Sequence, residues 1–258
     1  MALISLKVIG LGKPLVLLHA FPLSNLIWEN FEPPKDFALI LPDFPGFGSS
    51  PLAKEGFSLA EAAQELLKSL EEEGIRQPIV LGGISMGGYW AMEFIRQFPE
   101  KMSKIIFVST RAGLDKPDAK QRRLEMAERV LRDGPEFLTQ TMVPGLLGKT
   151  TLDKKPVIVE KLKNWIRQTS PQGIALAQRA MAQRQDKTDL LAKIGVKTLI
   201  LAGNEDNLIS FSEAEVMAGL IPNSQLEIFK NVGHLVPLEE PDQFQKITQS
   251  FSRPLVWG

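Results

Sequence analysis

The sequence predicts an α/β fold, with a mostly parallel central sheet and helices on both of its faces. Two observations support this prediction: short apolar runs alternate with longer amphipathic ones, and most of the short runs are almost continuously apolar. Parallel strands are buried on both faces, so continuous apolar runs are typical of them. The expected strands are "PLVLLHA" (14–20), "FALILPDF" (37–44), "PIVLGGIS" (78–85), "KIIFVST" (104–110), "KTLILAGN" (197–204) and "QLEIFKN" (225–231).

The apolar N-terminus lacks the pattern of a signal peptide. Gly10, Gly12 and Pro14 interrupt it, and no basic region precedes the apolar residues. No stretch of the chain approaches the roughly 18 apolar residues that a membrane-spanning helix needs. We therefore expect a β-hairpin at the N-terminus, and a cytoplasmic protein with no membrane partner.

Local signals predict where several helices begin. Serine followed three residues later by glutamate is typical of a capping box, and two such pairs occur: Ser58 with Glu61, and Ser212 with Glu215. A further helix is expected from Met86 to Gln97, and another with Pro241 at its first position.

The alternation of strands and helices breaks in the middle of the chain. Residues 113–189 contain charged, amphipathic segments separated by Gly and Pro, and no convincing strand. We predict a helical cap over 113–189, inserted into a core domain formed by residues 1–112 and 190–258. Because parallel strands end at one edge of a sheet, an insertion there is expected to cover the ligand site.

Composition excludes several classes of function. Thirty basic residues balance thirty acidic ones, so no field of one sign favours nucleic acid or an anionic membrane as a partner. The chain has no cysteine, which excludes disulfides, thiol catalysis and thiolate metal sites. We expect no cofactor and no metal.

The segment "GISMG" (83–87) matches the pattern G-x-S-x-G between an expected strand and an expected helix. A serine on so tight a turn has a strained backbone, and residues two positions away come too close for Cβ atoms. The turn would hold the Ser85 hydroxyl at the carboxyl end of the sheet and at a helix N-terminus. The alternative is an ordinary glycine-rich turn with no catalytic role.

A serine nucleophile needs a base, and the base needs an acid that orients it. The chain has two histidines: His19 lies at the end of the first expected strand, and His234 lies just beyond the last. Glu205 and Asp206 follow the strand "KTLILAGN", upstream of His234. The residues alone leave each choice open.

Five segments in this order resemble the α/β-hydrolase fold family over essentially the whole chain. They are "HAFPLS" (19–24), "LPDFPGFGSS" (41–50), "GGISMGG" (82–88), "GNED" (203–206) and "NVGHLVPLEEP" (231–241). Ala20 stands where a glycine is usual in the family, and we expect a slightly stiffer loop there.

The resemblance implies a Ser85–Asp206–His234 triad, with Asp206 rather than Glu205 as the acid. It also implies that His19 has a structural role, fixing the oxyanion loop. The oxyanion hole would be formed by the backbone N–H groups of Phe21 and Met86.

The predicted function is a serine hydrolase for a small carboxylic ester or lactone, similar to the carboxylesterase and 3-oxoadipate enol-lactonase branch. Carbon–carbon bond hydrolysis, thioester hydrolysis, perhydrolysis and ligand sensing without turnover remain alternatives. Trp28, Leu146 and Trp165 are candidate pocket residues, although tryptophan and methionine at helical spacing more often belong to the core. The other candidates are Leu147, Ile166, Met126, Met142 and Met181.

Overall fold

The computed structural model describes residues 3–252 and contains a mostly parallel sheet. Within those residues the sheet has seven strands, in the spatial order β1-β3-β2-β4-β5-β6-β7. Only β1 is antiparallel to its neighbour. The strands are Leu6–Ile9 (β1), Lys13–Leu18 (β2), Phe37–Pro42 (β3), Ile79–Ile84 (β4), Met102–Val108 (β5), Thr198–Gly203 (β6) and Ser224–Phe229 (β7).

Helices connect most of the parallel strands. Those outside the middle segment are Leu59–Glu72 (α1), Met86–Gln97 (α2), Phe211–Leu220 (α10), Val236–Glu239 (α11) and Pro241–Ser252 (α12). Those of residues 113–189, with the last ending just beyond, are Pro117–Asp133 (α3), Leu138–Thr141 (α4), Val143–Leu146 (α5), Lys149–Lys154 (α6), Pro156–Gln168 (α7), Pro171–Ala182 (α8) and Thr188–Leu191 (α9). No helix within residues 3–252 is long and apolar enough to cross a membrane.

The predicted N-terminal hairpin is wrong. The strands β1 and β2 follow each other in sequence, but β3 lies between them in the sheet. Leu6 pairs with Pro42 on one side of β3, and Val16 pairs with Ile40 on the other. The apolar β3 is a better central strand than the half-exposed β1, which lies at the edge of the sheet.

The central strands are buried on both faces, as their apolar runs predicted. Every residue of β4 and of β6 is buried, whereas the edge strand β7 is mostly half-buried. Because β2, β4, β5, β6 and β7 are parallel, their carboxyl ends lie at one edge of the sheet. The loops that carry the predicted site residues all leave from this edge.

One of the two predicted capping boxes forms. The Ser58 side chain accepts a hydrogen bond from the Glu61 N–H, and the Glu61 side chain accepts one from the Ser58 N–H. The second prediction is wrong, because Ser210 caps α10 and Ser212 lies inside that helix. The helices that begin at Met86 and at Pro241 start where they were predicted.

Residues 113–189 contain helices and no strand, and they contact the rest of the described chain at several points. The Thr169 hydroxyl donates to the Pro22 carbonyl at 2.9 Å, and the Gly148 N–H donates to the Glu239 carboxylate at 2.8 Å. The short helices α5, α6 and α9 each have too few residues for a helical period to be visible in the sequence. Residues 1–2 and 253–258 of the predicted core domain lie outside the described residues.

Candidate active site

Ser85 is on the turn between β4 and α2, in a conformation that few residues other than glycine adopt. Its backbone angles are φ +54° and ψ −113°. Such a conformation is strained, and it persists only where the surroundings impose it. The Ser85 N–H donates to the Val108 carbonyl at 2.9 Å, and the Thr110 hydroxyl donates to the Ser85 carbonyl at the same distance. The end of β5 therefore holds the turn in place.

The glycines around Ser85 are required by close backbone contacts. A Cβ atom at Gly83 would lie 2.2 Å from the carbonyl oxygen of Gly87, and one at Gly87 would lie 2.3 Å from that of Leu18. Both separations are far below a van der Waals contact. The crowding expected from the sequence pattern is thus present at residues two positions before and after the serine.

Asp206 and His234 are hydrogen-bonded to each other in a buried environment. The distance between His234 Nδ1 and Asp206 Oδ2 is 2.7 Å, and the Asp206 side chain has no exposed surface. An ionised carboxylate can only accept, so Nδ1 is the donor of this bond, and in the neutral imidazole Nε2 is the nitrogen with the lone pair. The other oxygen, Oδ1, accepts the N–H groups of Leu208 and Ile209 at 2.8 and 3.0 Å. These bonds fix the carboxylate beneath the imidazole.

Ser85 and His234 line the same cavity, whereas His19 does not. His19 is fully buried; its Nε2 accepts the Phe44 N–H at 2.9 Å, and its Nδ1 lies 3.0 Å from the Ala20 carbonyl oxygen. Burial lowers the pKa of His19. The structure thus separates a histidine that binds backbone groups from one that faces the cavity.

Within residues 3–252, Ser85 Oγ makes no hydrogen bond to the His234 ring. Such bonds are often long in unliganded sites and shorten when substrate binds, so this geometry does not argue against a serine–histidine pair.

The N–H groups of Phe21 and Met86 are free of protein acceptors in the described part of the chain. Phe21 follows β2 and lines the cavity with Ser85, while Met86 is the first residue of α2. The first N–H groups of a helix have no intrahelical partner, and the helix dipole favours negative charge there. Two unpaired donors are therefore available near the Ser85 hydroxyl.

Two glutamates connect the loops of Asp206 and His234 to the middle segment. Glu205 accepts hydrogen bonds from the Thr150 N–H and hydroxyl, both at 2.7 Å. Glu239 is buried and accepts the N–H groups of Gly148, Gly233 and Leu235, the last two being the neighbours of His234. Burial raises the pKa of Glu239, and these N–H groups oppose the rise. Sequence reasoning gave neither residue this role.

A cavity of about 320 Å³ lies above Ser85, within the range of small-ligand sites. Leu146, a predicted pocket residue, lines it. So do three methionines for which the core was the favoured position: Met126, Met142 and Met181.

Trp28 and Trp165 do not line this cavity, and their prediction as pocket residues is wrong. Trp28 is 1% exposed and stacks on Phe244, with 5.9 Å between the ring centroids. Trp165 lies in a surface groove, beneath the Lys161 ammonium group. Leu147 and Ile166 are fully buried and do not line the cavity either. A helical pattern indicates which residues are buried, but it does not distinguish the core from a cavity wall.

Polar and charged side chains also line the cavity, and sequence reasoning missed them. They are Tyr89, Arg111, Asp115, Arg122, Arg123 and Gln178. Arg111 could have been found from its position, since it follows β5 at the edge where Ser85 lies. Among residues 3–252, no group of three or more His, Asp or Glu side chains is placed to hold a metal ion.

Comparisons with known proteins place the chain in a family. The sequence model of the alpha/beta hydrolase fold family matches residues 13–241. The chain is similar to the AB hydrolase superfamily protein YisY of Bacillus subtilis, 29% identical over 260 residues, which cover 95% of this chain and 93% of that protein. It is 26% identical over 214 residues to 3-oxoadipate enol-lactonase 2 of Acinetobacter baylyi, and these residues cover 83% of this chain and 78% of that protein.

Among solved structures, the fold is similar to a malate-bound thermophilic esterase from Thermogutta terrifontis. The two share 36% sequence identity with a TM-score of 0.93, over 96% of this chain and 92% of that one. Because the family match extends over most of the 258 residues and the structural match over nearly all of them, the chain belongs to the alpha/beta hydrolase fold family.

Proposed function

We propose that the protein is a serine hydrolase that cleaves a small carboxylic ester or lactone through an acyl-enzyme intermediate. The observation that carries this proposal is the buried 2.7 Å bond between Asp206 and His234, together with a cavity that both His234 and Ser85 line. Esterase and lactonase relatives support the same class of reaction.

In the proposed mechanism, the Ser85 hydroxyl attacks the carbonyl carbon and His234 Nε2 takes its proton. The bond from Asp206 keeps Nδ1 protonated, so Nε2 is the nitrogen that can accept. The oxyanion of the tetrahedral intermediate is stabilised by the N–H groups of Phe21 and Met86. Collapse of the intermediate releases the alcohol, which takes the proton from His234. Water then attacks the acyl group, again with His234 as the base, and restores Ser85.

A fluorophosphonate probe tests the nucleophile directly. We expect the probe to label the protein at Ser85 and to abolish hydrolysis of p-nitrophenyl acetate, because an activated serine forms a stable phosphonyl ester. Peptide mass spectrometry identifies the labelled residue. Labelling elsewhere with activity retained would refute the assignment of Ser85.

A panel of p-nitrophenyl esters and lactones tests the class of substrate. Turnover of at least one member would support a hydrolase. Stoichiometric binding of these compounds without turnover would instead favour a ligand sensor on the same fold. If the panel is not hydrolysed, thioesters and substrates with a cleavable carbon–carbon bond are assayed next. Turnover confined to one of these would transfer the proposal to that reaction, which uses the same triad.

We propose further that residues 113–189 are a cap that contributes to substrate choice. Helices α3, α5 and α8 supply cavity residues, among them Arg123, Leu146 and Gln178. The hydrogen bonds from Gly148 to Glu239 and from Thr150 to Glu205 attach this segment to the loops of the proposed triad.

Substitution of Leu146 by alanine tests the cap. Enlarging the cavity should raise kcat/KM for p-nitrophenyl hexanoate relative to the acetate, by an amount equivalent to about 1–3 kcal/mol. The neighbouring Leu147→Ala is a matched control, because Leu147 is equally buried but does not line the cavity. Both variants should lose stability, whereas only the first should change acyl preference. A uniform fall in rate with both variants would leave the cap without a role in specificity.

A further inference from the structure

Three arginines converge on one carboxylate at the wall of the Ser85 cavity. Asp115 accepts hydrogen bonds from Arg111 Nη2 at 2.5 Å, Arg123 Nε at 2.6 Å and Arg184 Nη2 at 3.1 Å. We call these four residues the arginine cluster. Arg111 follows β5, Arg123 is on α3 and Arg184 follows α8, so separate elements bring the charges together.

The arginine cluster carries more positive than negative charge. Three guanidinium groups face a single carboxylate, which leaves an excess of two positive charges in direct contact. Glu213 interacts electrostatically with Arg111, and Asp186 with Arg184. Neither of these acidic side chains is hydrogen-bonded to an arginine within residues 3–252. A neighbouring cation, Lys187, has its own partner in Glu93 at 2.7 Å.

Several guanidinium nitrogens of the cluster are buried without an acceptor in the described structure. They are Arg111 Nε, Arg184 Nε and Arg184 Nη1. The Arg184 side chain is only 4% exposed, and its guanidinium lies 4.4 Å from the ring centre of Tyr89, which lines the cavity. Burial lowers the pKa of Arg184, and the charges of Arg111 and Arg123 act in the same direction.

Burying a charge without a partner costs free energy of folding. In a network with only a structural role, we would therefore expect as many carboxylates as guanidinium groups. The excess is also at a place that a substrate can reach: Arg111 and Arg123 line the cavity, with side chains 23% and 21% exposed. A cavity wall of one sign raises the local concentration of ligands of the opposite sign. A bound anion would balance the charge of the cluster.

We propose that the substrate of the Ser85 site carries a free carboxylate in addition to the ester or lactone bond, and that Arg111 and Arg123 bind this carboxylate. Guanidinium groups match the planar carboxylate with paired hydrogen bonds. The cavity of about 320 Å³ limits the substrate to a small molecule, such as the monoester of a short dicarboxylic acid. This inference rests on the proposed hydrolase function, which it narrows to anionic substrates.

Two methyl esters of equal size provide the kinetic test. Monomethyl succinate carries the carboxylate, and methyl succinamate replaces it by a neutral amide with the same leaving group. We expect kcat/KM, measured by methanol release, to be roughly 10- to 100-fold higher for the anionic ester, the range expected for hydrogen bonds to a charged group. Raising the ionic strength should reduce the ratio.

Variants connect that preference to the cluster. Arg111→Gln and Arg123→Gln should each reduce the ratio towards one, and Arg111→Lys should retain part of it. Asp115 keeps two arginine partners in each variant, so the proteins should fold. Arg132→Gln removes the same charge from the exposed end of α3, where Arg132 is 71% exposed, and should leave the ratio unchanged. If the cluster is only structural, the variants will lower the melting temperature without changing the ratio.

Binding measured by calorimetry tests the carboxylate site separately from the hydrolase function, because a ligand can bind without being hydrolysed. Succinate should bind the unmodified protein more tightly than succinamide does, and this difference should be lost in Arg111→Gln. Hydrolysis of neutral esters with no preference for the carboxylate, and equal binding of the two compounds, would overturn the inference and leave the hydrolase function intact. Preferential succinate binding with no ester hydrolysed would overturn the function and keep the anion site.

Discussion

Replacing Ser85 by alanine is expected to lower kcat for ester hydrolysis by roughly 10⁴- to 10⁶-fold, because in the proposed mechanism Ser85 forms the acyl intermediate. His234→Ala should have an effect of similar size, since the hydroxyl then has no base. The double variant should be no slower than either single one, because the two residues act as a unit. Stopped assays with p-nitrophenyl acetate at saturating substrate measure these rates.

Ser109→Ala is a matched control for the serine. Ser109 is buried at the end of β5, at the same edge of the sheet, and its hydroxyl has no hydrogen-bond partner within residues 3–252. Its loss should leave the rate within a few-fold of the unmodified protein. An active Ser85→Ala variant, or a double variant much slower than both single ones, would contradict the proposed mechanism.

Asp206→Asn should leave the protein folded and lower kcat by about 10⁴-fold. The N–H groups of Leu208 and Ile209 donate to Oδ1, so the amide oxygen of the variant would take that position. The amide NH₂ would then face His234 Nδ1 and make that nitrogen an acceptor. The proton would move to Nε2, which could no longer take one from Ser85.

Glu205→Gln is the control for the acid, since Glu205 is the adjacent carboxylate and contacts Thr150 rather than His234. Its amide can still accept from the Thr150 N–H, so we expect only a small loss of activity. The pH dependence of kcat/KM should keep its shape in Glu205→Gln. If Glu205→Gln proved the more damaging substitution, the roles assigned to the two acids would be wrong.

Several features that depend on neighbouring residues in the sequence were predictable. The Ser58 capping box, the start of α2 and the contact of Gly83 with Gly87 each involve residues within a few positions of one another. The second predicted capping box did not form, so such local signals do not always fix the start of a helix. The predicted roles of His19 and Asp206 came instead from resemblance. The hydrogen bonds of His19 to backbone groups and of Asp206 to His234 are consistent with those roles.

Features that depend on distant parts of the chain were not predictable. The order of the first three strands follows from pairing across the sheet, which the local pattern of β1 and β2 does not encode. Burial alone could not separate Leu146 in the cavity wall from Trp28 in the core. The arginine cluster forms only because residues 111, 123 and 184 meet in three dimensions.

The contacts of Gly83 and Gly87 have a consequence for laboratory evolution of this protein. A side chain at either position would collide with main-chain oxygen atoms, of Gly87 and Leu18 respectively. Replacing a nearby side chain cannot remove a main-chain atom, so no second substitution can restore the space. Random mutagenesis should therefore recover almost no active variants at these two positions, whatever the genetic background. Adaptive change is expected instead at side chains of the helices between β5 and β6 that line the cavity, such as Leu146 and Met181.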